Sequence, residues 1–228
     1  MVHRLTEARL AAIDAVRAAT KHWADGHVRQ VEHLAAGLYR ELGEYHGLGA
    51  EEEILLRSAA LLHDVGYPVD PGCHHKISAR MIRSQLSEPF DAEQVELIAL
   101  VARYHRKGVP KLAHRRYSAL DERRRRVVTW LAGILRVADG LDRNHDSAVQ
   151  FLAVSALDQR LVIEVSEHPN GGQFFGGRPS GKGGLVARSE NREARPVASP
   201  LQVDVRGAQR KSDLLARALG MVVTIRPL

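Results

Sequence analysis

The chain has 228 residues, 44% hydrophobic and 26% charged, which is enough for one sizeable core and a small appendage but not for two full domains. No apolar run approaches the roughly 18 to 20 residues that a membrane helix needs, and a single cysteine, Cys73, excludes an internal disulfide and fits a reducing compartment. The formal charge of +6 comes largely from arginine, whose planar fork suits phosphate oxygens, so phosphate-bearing partners come into view, although charge alone does not separate nucleotide, polyphosphate and RNA.

From the N-terminus, Met1 to Thr20 mixes charged and apolar residues without the unbroken apolar stretch and cleavage site of a secretory signal, which points to the cytoplasm. Leu5 to Thr20 reads as an amphipathic helix. A second helix begins near Trp23 to Gly26 and carries His27, Val31, Leu34 and Leu38 along one stripe up to Gly43, so His27 is expected to face inward. Glu51 to Val65 is densely apolar and helical, and Gly66 with Pro68 stops it directly after His63 and Asp64. Lys76 to Leu86 is a shorter helix. Asp91 with Gln94 resembles a capping box and opens a helix to about Arg106, with Ile98, Val101, Ala102 and His105 on its inner stripe. Asp121 to Leu141 is a long helix with a core of Trp130, Leu131, Ile134 and Leu135; Asp139 and Gly140 stand near its end, and Arg123 to Arg126 read as a solvated face.

From Val149 the period changes to two. Phe151 to Leu157 and Leu161 to Val165, separated by Asp158 to Arg160, predict a β-hairpin. The glycine- and proline-rich segment 169–200 cannot bury enough apolar surface to offset its ordering entropy and is expected to be a flexible loop. Leu201 to Val205, a helix from Ala208 to Leu219, and Met221 to Ile225 complete the chain. The fold class is therefore mainly α with a small C-terminal α+β subdomain, residues 1–148 forming the helical part and 149–228 the remainder, interrupted at 169–200.

Five helix-borne positions carry metal chemistry: His27, the His63-Asp64 pair, His75 or its neighbour His74, His105 and Asp139. His63, Asp64, His105 and Asp139 each precede a glycine by three residues or fewer and so fall at helix C-termini, where unsatisfied carbonyls and partial negative charge favour a cation. Imidazole and carboxylate suit manganese, iron, zinc or nickel, and carboxylates with water would also hold magnesium. The lack of cysteine pairs argues against a structural zinc finger.

The stretches "LLHDVGY", "GCHHKISARMIR", "LVARYHRKGVPKL" and "LRVADGLDRNH", in that order after His27, resemble the C-terminal HD region of the exopolyphosphatase and guanosine pentaphosphate phosphohydrolase (Ppx/GppA) family, within the HD superfamily of metal-dependent phosphohydrolases. The likeness covers roughly residues 23 to 165, and "RKSDLLARALG" is similar to the family's closing helix. It implies a helical HD-domain bundle in which His27, His63, Asp64 and Asp139 hold one divalent ion, with His75 and His105 holding a second in dinuclear members. Asp64 and His63 would form the catalytic pair, with Asp64 orienting or deprotonating a metal-activated water. Lys76, Arg103, Arg106, Lys107 and Arg143, beside these residues in sequence, would clamp phosphate oxygens. The actin-like domains that precede this region in full-length exopolyphosphatases, and carry their phosphatase site, have no counterpart in these residues, and segment 169–200 is an insertion relative to the family pattern.

The expected substrate is a nucleotide, an alarmone such as guanosine tetraphosphate, polyphosphate or another small phosphoester. The alternative is a non-catalytic module that binds polyphosphate, nucleotide or RNA beside a separate actin-like exopolyphosphatase chain. No sequence feature supports a nucleic-acid partner or a membrane, and a homodimer stays open. His74 is expected to sit behind the ligands or in solvent. His22, His33, His46, His114, His145 and His168 read as surface residues, and Cys73 as incidental.

Overall fold

The computed structural model describes residues 5–167 and 199–228. The first element, α1, spans Glu7–Ala18 and is capped by the Thr6 hydroxyl, which accepts from the Arg9 N–H. Lys21, His22 and Ala24 then adopt positive φ and swing the chain into α2, Asp25–Glu41. Next come α3, Gly43–His46; α4, Ala50–Leu62; α5, His74–Gln85; and α6, Ala92–Tyr104. The expected Asp91–Gln94 capping box opens α6, each side chain bonding the other's backbone N–H. After the short α7, Arg115–Ser118, comes α8, Glu122–Gly140.

The central helix is α8: every residue from Trp130 to Ala138 is buried, the signature of a helix surrounded by others. It packs against α2, α4 and α6. Strands β1, Val149–Leu157, and β2, Arg160–Glu167, form the antiparallel hairpin. Its two-residue turn places Asp158 and Gln159 at φ 47° and 60°, matching the twist of the strands. Helices α9, Pro200–Lys211, and α10, Asp213–Leu219, lead to β3, Val222–Pro227, which pairs with β2 in parallel. Leu161, Ile163, Val165, Val223 and Ile225 join the helical core in a single buried cluster. The protein is thus mainly helical with a small C-terminal sheet. Among the described residues no helix is long and apolar enough to cross a membrane.

One expected element changes type. Leu201 to Val205 alternates in a strand-like way, but it is the first turn and a half of α9, capped by Ser199 and started by Pro200. Leu201, Asp204, Val205 and Ala208 are also at i, i+3, i+4, i+7 spacing, and that face is the one buried. The segment 169–200, expected to be a loop, lies outside the described residues up to position 198.

Two glycines set distances that matter below. A Cβ on Gly140 would meet the Ala208 Cα at 2.5 Å, so α9 crosses the end of α8 in backbone contact. A Cβ on Gly66 would meet the Ser78 N at 2.6 Å, so the turn after α4 lies directly on α5. The buried Arg136 guanidinium then ties three ends together, bonding the Tyr104 carbonyl at 3.2 Å, the Lys211 carbonyl at 3.3 Å and the Asp213 carboxylate at 2.7 Å.

Candidate metal centre

The helix ends converge as their glycine stops suggest. His63 is the C-cap of α4, His105 is the C-cap of α6, and Asp139 lies in the last turn of α8, while His27 and His74 come from the first turns of α2 and α5. His27 Nε2 is 3.6 Å from Asp139 Oδ1. Around Asp64 Oδ1 stand His74 Nε2 at 3.2 Å, His105 Nε2 at 3.6 Å and His63 Nε2 at 3.8 Å. Two triads result, His27, His63, Asp139 and His63, Asp64, His105, each with its ligand atoms within 4.8 Å of one another. His63 belongs to both.

The hydrogen bonds behind these imidazoles fix their tautomers. His63 Nδ1 donates to the Ala60 carbonyl at 2.7 Å, His105 Nδ1 to the Ala102 carbonyl at 2.6 Å, and His27 Nδ1 to Asp142 Oδ2 at 2.7 Å. In the neutral imidazole each Nε2 then carries the outward lone pair, the arrangement by which ligating histidines are oriented. His27 Nε2, His63 Nε2 and Asp64 Oδ1 are buried without a hydrogen-bond partner. A buried polar group without a partner costs free energy that a bound cation would recover, so this donor set fits a divalent ion.

Charge agrees with geometry. Burial pushes the His27 pKa down, but Asp139 and Asp142 outweigh it and carry it up to about 10. A positive charge is therefore favoured at that position. Burial alone would raise the Asp139 carboxyl, yet Lys211 and His27 hold it well below the usual carboxylate range. Burial, with His63 next, pushes His105 down to about 3, which keeps its Nε2 unprotonated.

The structure brings His27, His63, Asp64, His105 and Asp139 together and leaves His75 apart. His74 takes the place beside Asp64 and His105, with its Nε2 3.1 Å from His105 Nε2. Adjacent helical residues point about 100° apart, so only one of the two faces the cleft. The choice falls on His74, whose Nδ1 lies 2.8 Å from the Pro71 carbonyl. Arg106 and Arg143 line the cleft of about 520 Å³ with His74 and Asp139, whereas Lys76, Arg103 and Lys107 line a neighbouring pocket together with His75.

Three further residues escaped the sequence reading. His145 lies on the lip of the cleft, its ring stacked on His27 at 3.8 Å between centroids. Asp142, fully buried, orients His27 and is itself held by the Ser147 N–H at 2.8 Å. Lys211, at the end of α9, bonds Asp139 Oδ2 and lines the cleft. His46 is buried rather than exposed, bonding the Tyr39 carbonyl and the Leu48 N–H, and His114 bonds the Tyr104 hydroxyl. His22 and His33 are exposed, and His168 lies outside the described residues.

Residues 15–170 match the family model of Ppx/GppA phosphatase, domain III.

Proposed function

The chain belongs to the Ppx/GppA phosphatase family, as its domain III, and from that membership we propose that it is a metal-dependent phosphohydrolase of the HD type acting on a small phosphoester or phosphoanhydride. The observation that carries this reading is the set of buried, partnerless ligand atoms, His27 Nε2, His63 Nε2 and Asp64 Oδ1, facing one another beside a cationic cleft. His27, His63, Asp64 and Asp139 would hold one divalent ion, and His105 with His74, rather than His75, a second. The imidazole-rich set favours manganese, iron, zinc or nickel over magnesium.

When bound, the ion would lower the pKa of a water towards neutrality and neutralise charge on phosphoryl oxygens. The rest falls to the protein's own groups. Arg106, Arg143 and Lys211 line the cleft and grip the phosphate oxygens of a nucleotide, an alarmone or polyphosphate. The water oxygen bonds to phosphorus, the bridging P–O bond breaks with its electron pair leaving on the bridging oxygen, and the Asp64 carboxylate would take the proton the water gives up through the oxygen that does not hold the ion. Asp64 is suited to this because burial pushes its carboxyl up while His63 and His105 outweigh that and keep it ionised. Asp142 holds His27 in the tautomer the centre needs.

The test is elemental analysis of the purified protein followed by a panel of phosphoesters with manganese. Asp64→Ala should lose both bound metal and turnover. Undiminished hydrolysis by the metal-stripped variant would overturn the reading, and bound metal without turnover on any substrate would leave a binding module instead.

A further inference from the structure

The loop that follows α8 brings together carboxylates that no lysine or arginine meets among the described residues. Asp142, Asn144 and Asp146 alternate along it, and Ser147 comes directly after, at φ 54°. Calcium loops set oxygen side chains at this alternate spacing and follow them with a residue, normally glycine, that makes a sharp turn. The backbone bonds fit such a turn: the Ser147 N–H donates to Asp142 Oδ1 at 2.8 Å and the Ala148 N–H to Asp146 Oδ1 at 3.2 Å. Loops of that kind close with a glutamate at about their twelfth position, and here that position is Ala153.

A carboxylate from α9 stands where that glutamate would. Asp204 is fully buried, its Oδ1 accepts from the Asn144 N–H at 3.2 Å, and its Oδ2 has no hydrogen-bond partner. The Asn144 side-chain amide donates to the Pro200 carbonyl at 3.3 Å, which ties the start of α9 to the loop. Burial and then the Asp146 charge push the Asp204 carboxyl up to about 7, and burial with the Asp142 charge pushes Asp146 up as well. These carboxylates are spread more widely than the ligand atoms of the two triads in the cleft, as like charges without a cation are. His145, the one imidazole on the loop, is turned to the cleft and stacked on His27, so the donors gathered here are oxygens.

We propose that Asp146, Asp204 and Asn144 form a second cation site, separate from the histidine centre, and that it takes calcium. A donor set of oxygens disfavours the softer ions that suit imidazole. Its irregular spacing suits a large ion of flexible coordination better than magnesium, which demands near-octahedral geometry. Asp142 supports the loop rather than the ion, because its two oxygens already accept from the Ser147 N–H and from His27 Nδ1. The ion would join the end of α8 to α9, the helix that carries Lys211 to the cleft. The site stands whether or not the histidine centre is hydrolytic.

Thermal unfolding of the full chain, stripped with chelator and then given saturating calcium chloride, would test it. Calcium should raise the Tm of the wild type by about 5 °C or more. Asp64→Ala, which disarms the histidine centre, should show the same rise. Asp146→Asn and Asp204→Asn should each rise by less than about 1 °C, with calcium affinity by calorimetry at least about tenfold weaker. Asp204→Asn keeps the acceptor for the Asn144 N–H, and Asp146→Asn changes only a half-buried side chain, so either variant can decide the matter. A rise that persists undiminished in the two loop variants and vanishes in Asp64→Ala would put the ion in the histidine centre and overturn the proposal. No rise in the wild type would overturn it too.

Discussion

The two ends of α8 are both dense in charge, and they differ in whether that charge is matched. At the start, Arg123 bonds Glu52, Arg124 bonds Glu93 and Asp121, Arg125 bonds the Leu120 carbonyl and Arg126 the His46 carbonyl. At the other end Asp139 is grouped with His27 Nε2 and His63 Nε2, both buried without a hydrogen-bond partner, and lines a cleft with Arg143, which has no carboxylate partner among the described residues. The densest run of charge in the sequence is therefore structural surface. Chemistry is expected where polar atoms are brought together and left unsatisfied, because only there does a ligand gain more than water offers.

The largest effect should come from Asp142. Asp142→Asn leaves a single acceptor oxygen for two donors, the Ser147 N–H and His27 Nδ1–H, so the His27 tautomer is no longer fixed, and manganese affinity measured by calorimetry should fall about 10- to 100-fold. Arg123→Gln, at the matched end of the same helix, should leave it unchanged; equal losses in the two variants would erase the contrast between the ends.

Gly140→Ala forces a methyl group into the α9 backbone at 2.5 Å. Overpacking there should cost about 1–3 kcal/mol in denaturant unfolding. A neutral result would mean that α9 does not cross α8 so closely, and with that the place of Lys211 would go.

Lys211 sharpens the comparison from inside the cleft, because its ammonium holds the Asp139 oxygen that an ion would use. Lys211→Met should tighten manganese binding roughly fivefold, the worth of one partly buried ion pair. Weaker binding in that variant would show that the lysine supports the centre rather than competing for it.

The smallest expected effect is a pH slope. Burial raises the Asp204 carboxyl to about 7, helped by the Asp146 and Asp142 charges, and its Oδ2 has no partner. Because the folded state holds that proton more tightly than the unfolded chain, the contribution is fully present below the ordinary carboxylate pKa and is lost as pH rises through 7. Asp204→Asn keeps the acceptor for the Asn144 N–H and should flatten the fall in Tm between pH 5 and 8. An identical fall in the variant would place the titration elsewhere.

Helix positions and the inward facing of His27 and His105 were legible because both follow from local rules, the 3.6-residue period and the glycine stop. The choice of His74 over His75 was not, since a one-residue rotation at a helix start is decided by the loop that meets it. The helical state of Leu201 to Val205 was hidden for a related reason: the segment satisfies both periodicities, and burial against α8 selects one.

By itself the sequence determined a mainly helical chain whose histidines and aspartates gather at helix ends, because capping, periodicity and chain reversal act within a few residues. Only the tertiary structure decided which side chains share a centre. Asp142 meets His27 across 115 positions and Lys211 meets Asp139 across 72. Contacts of that range depend on how closely two backbones pack, as Gly140 against Ala208 does, and no local pattern of residues encodes such a distance.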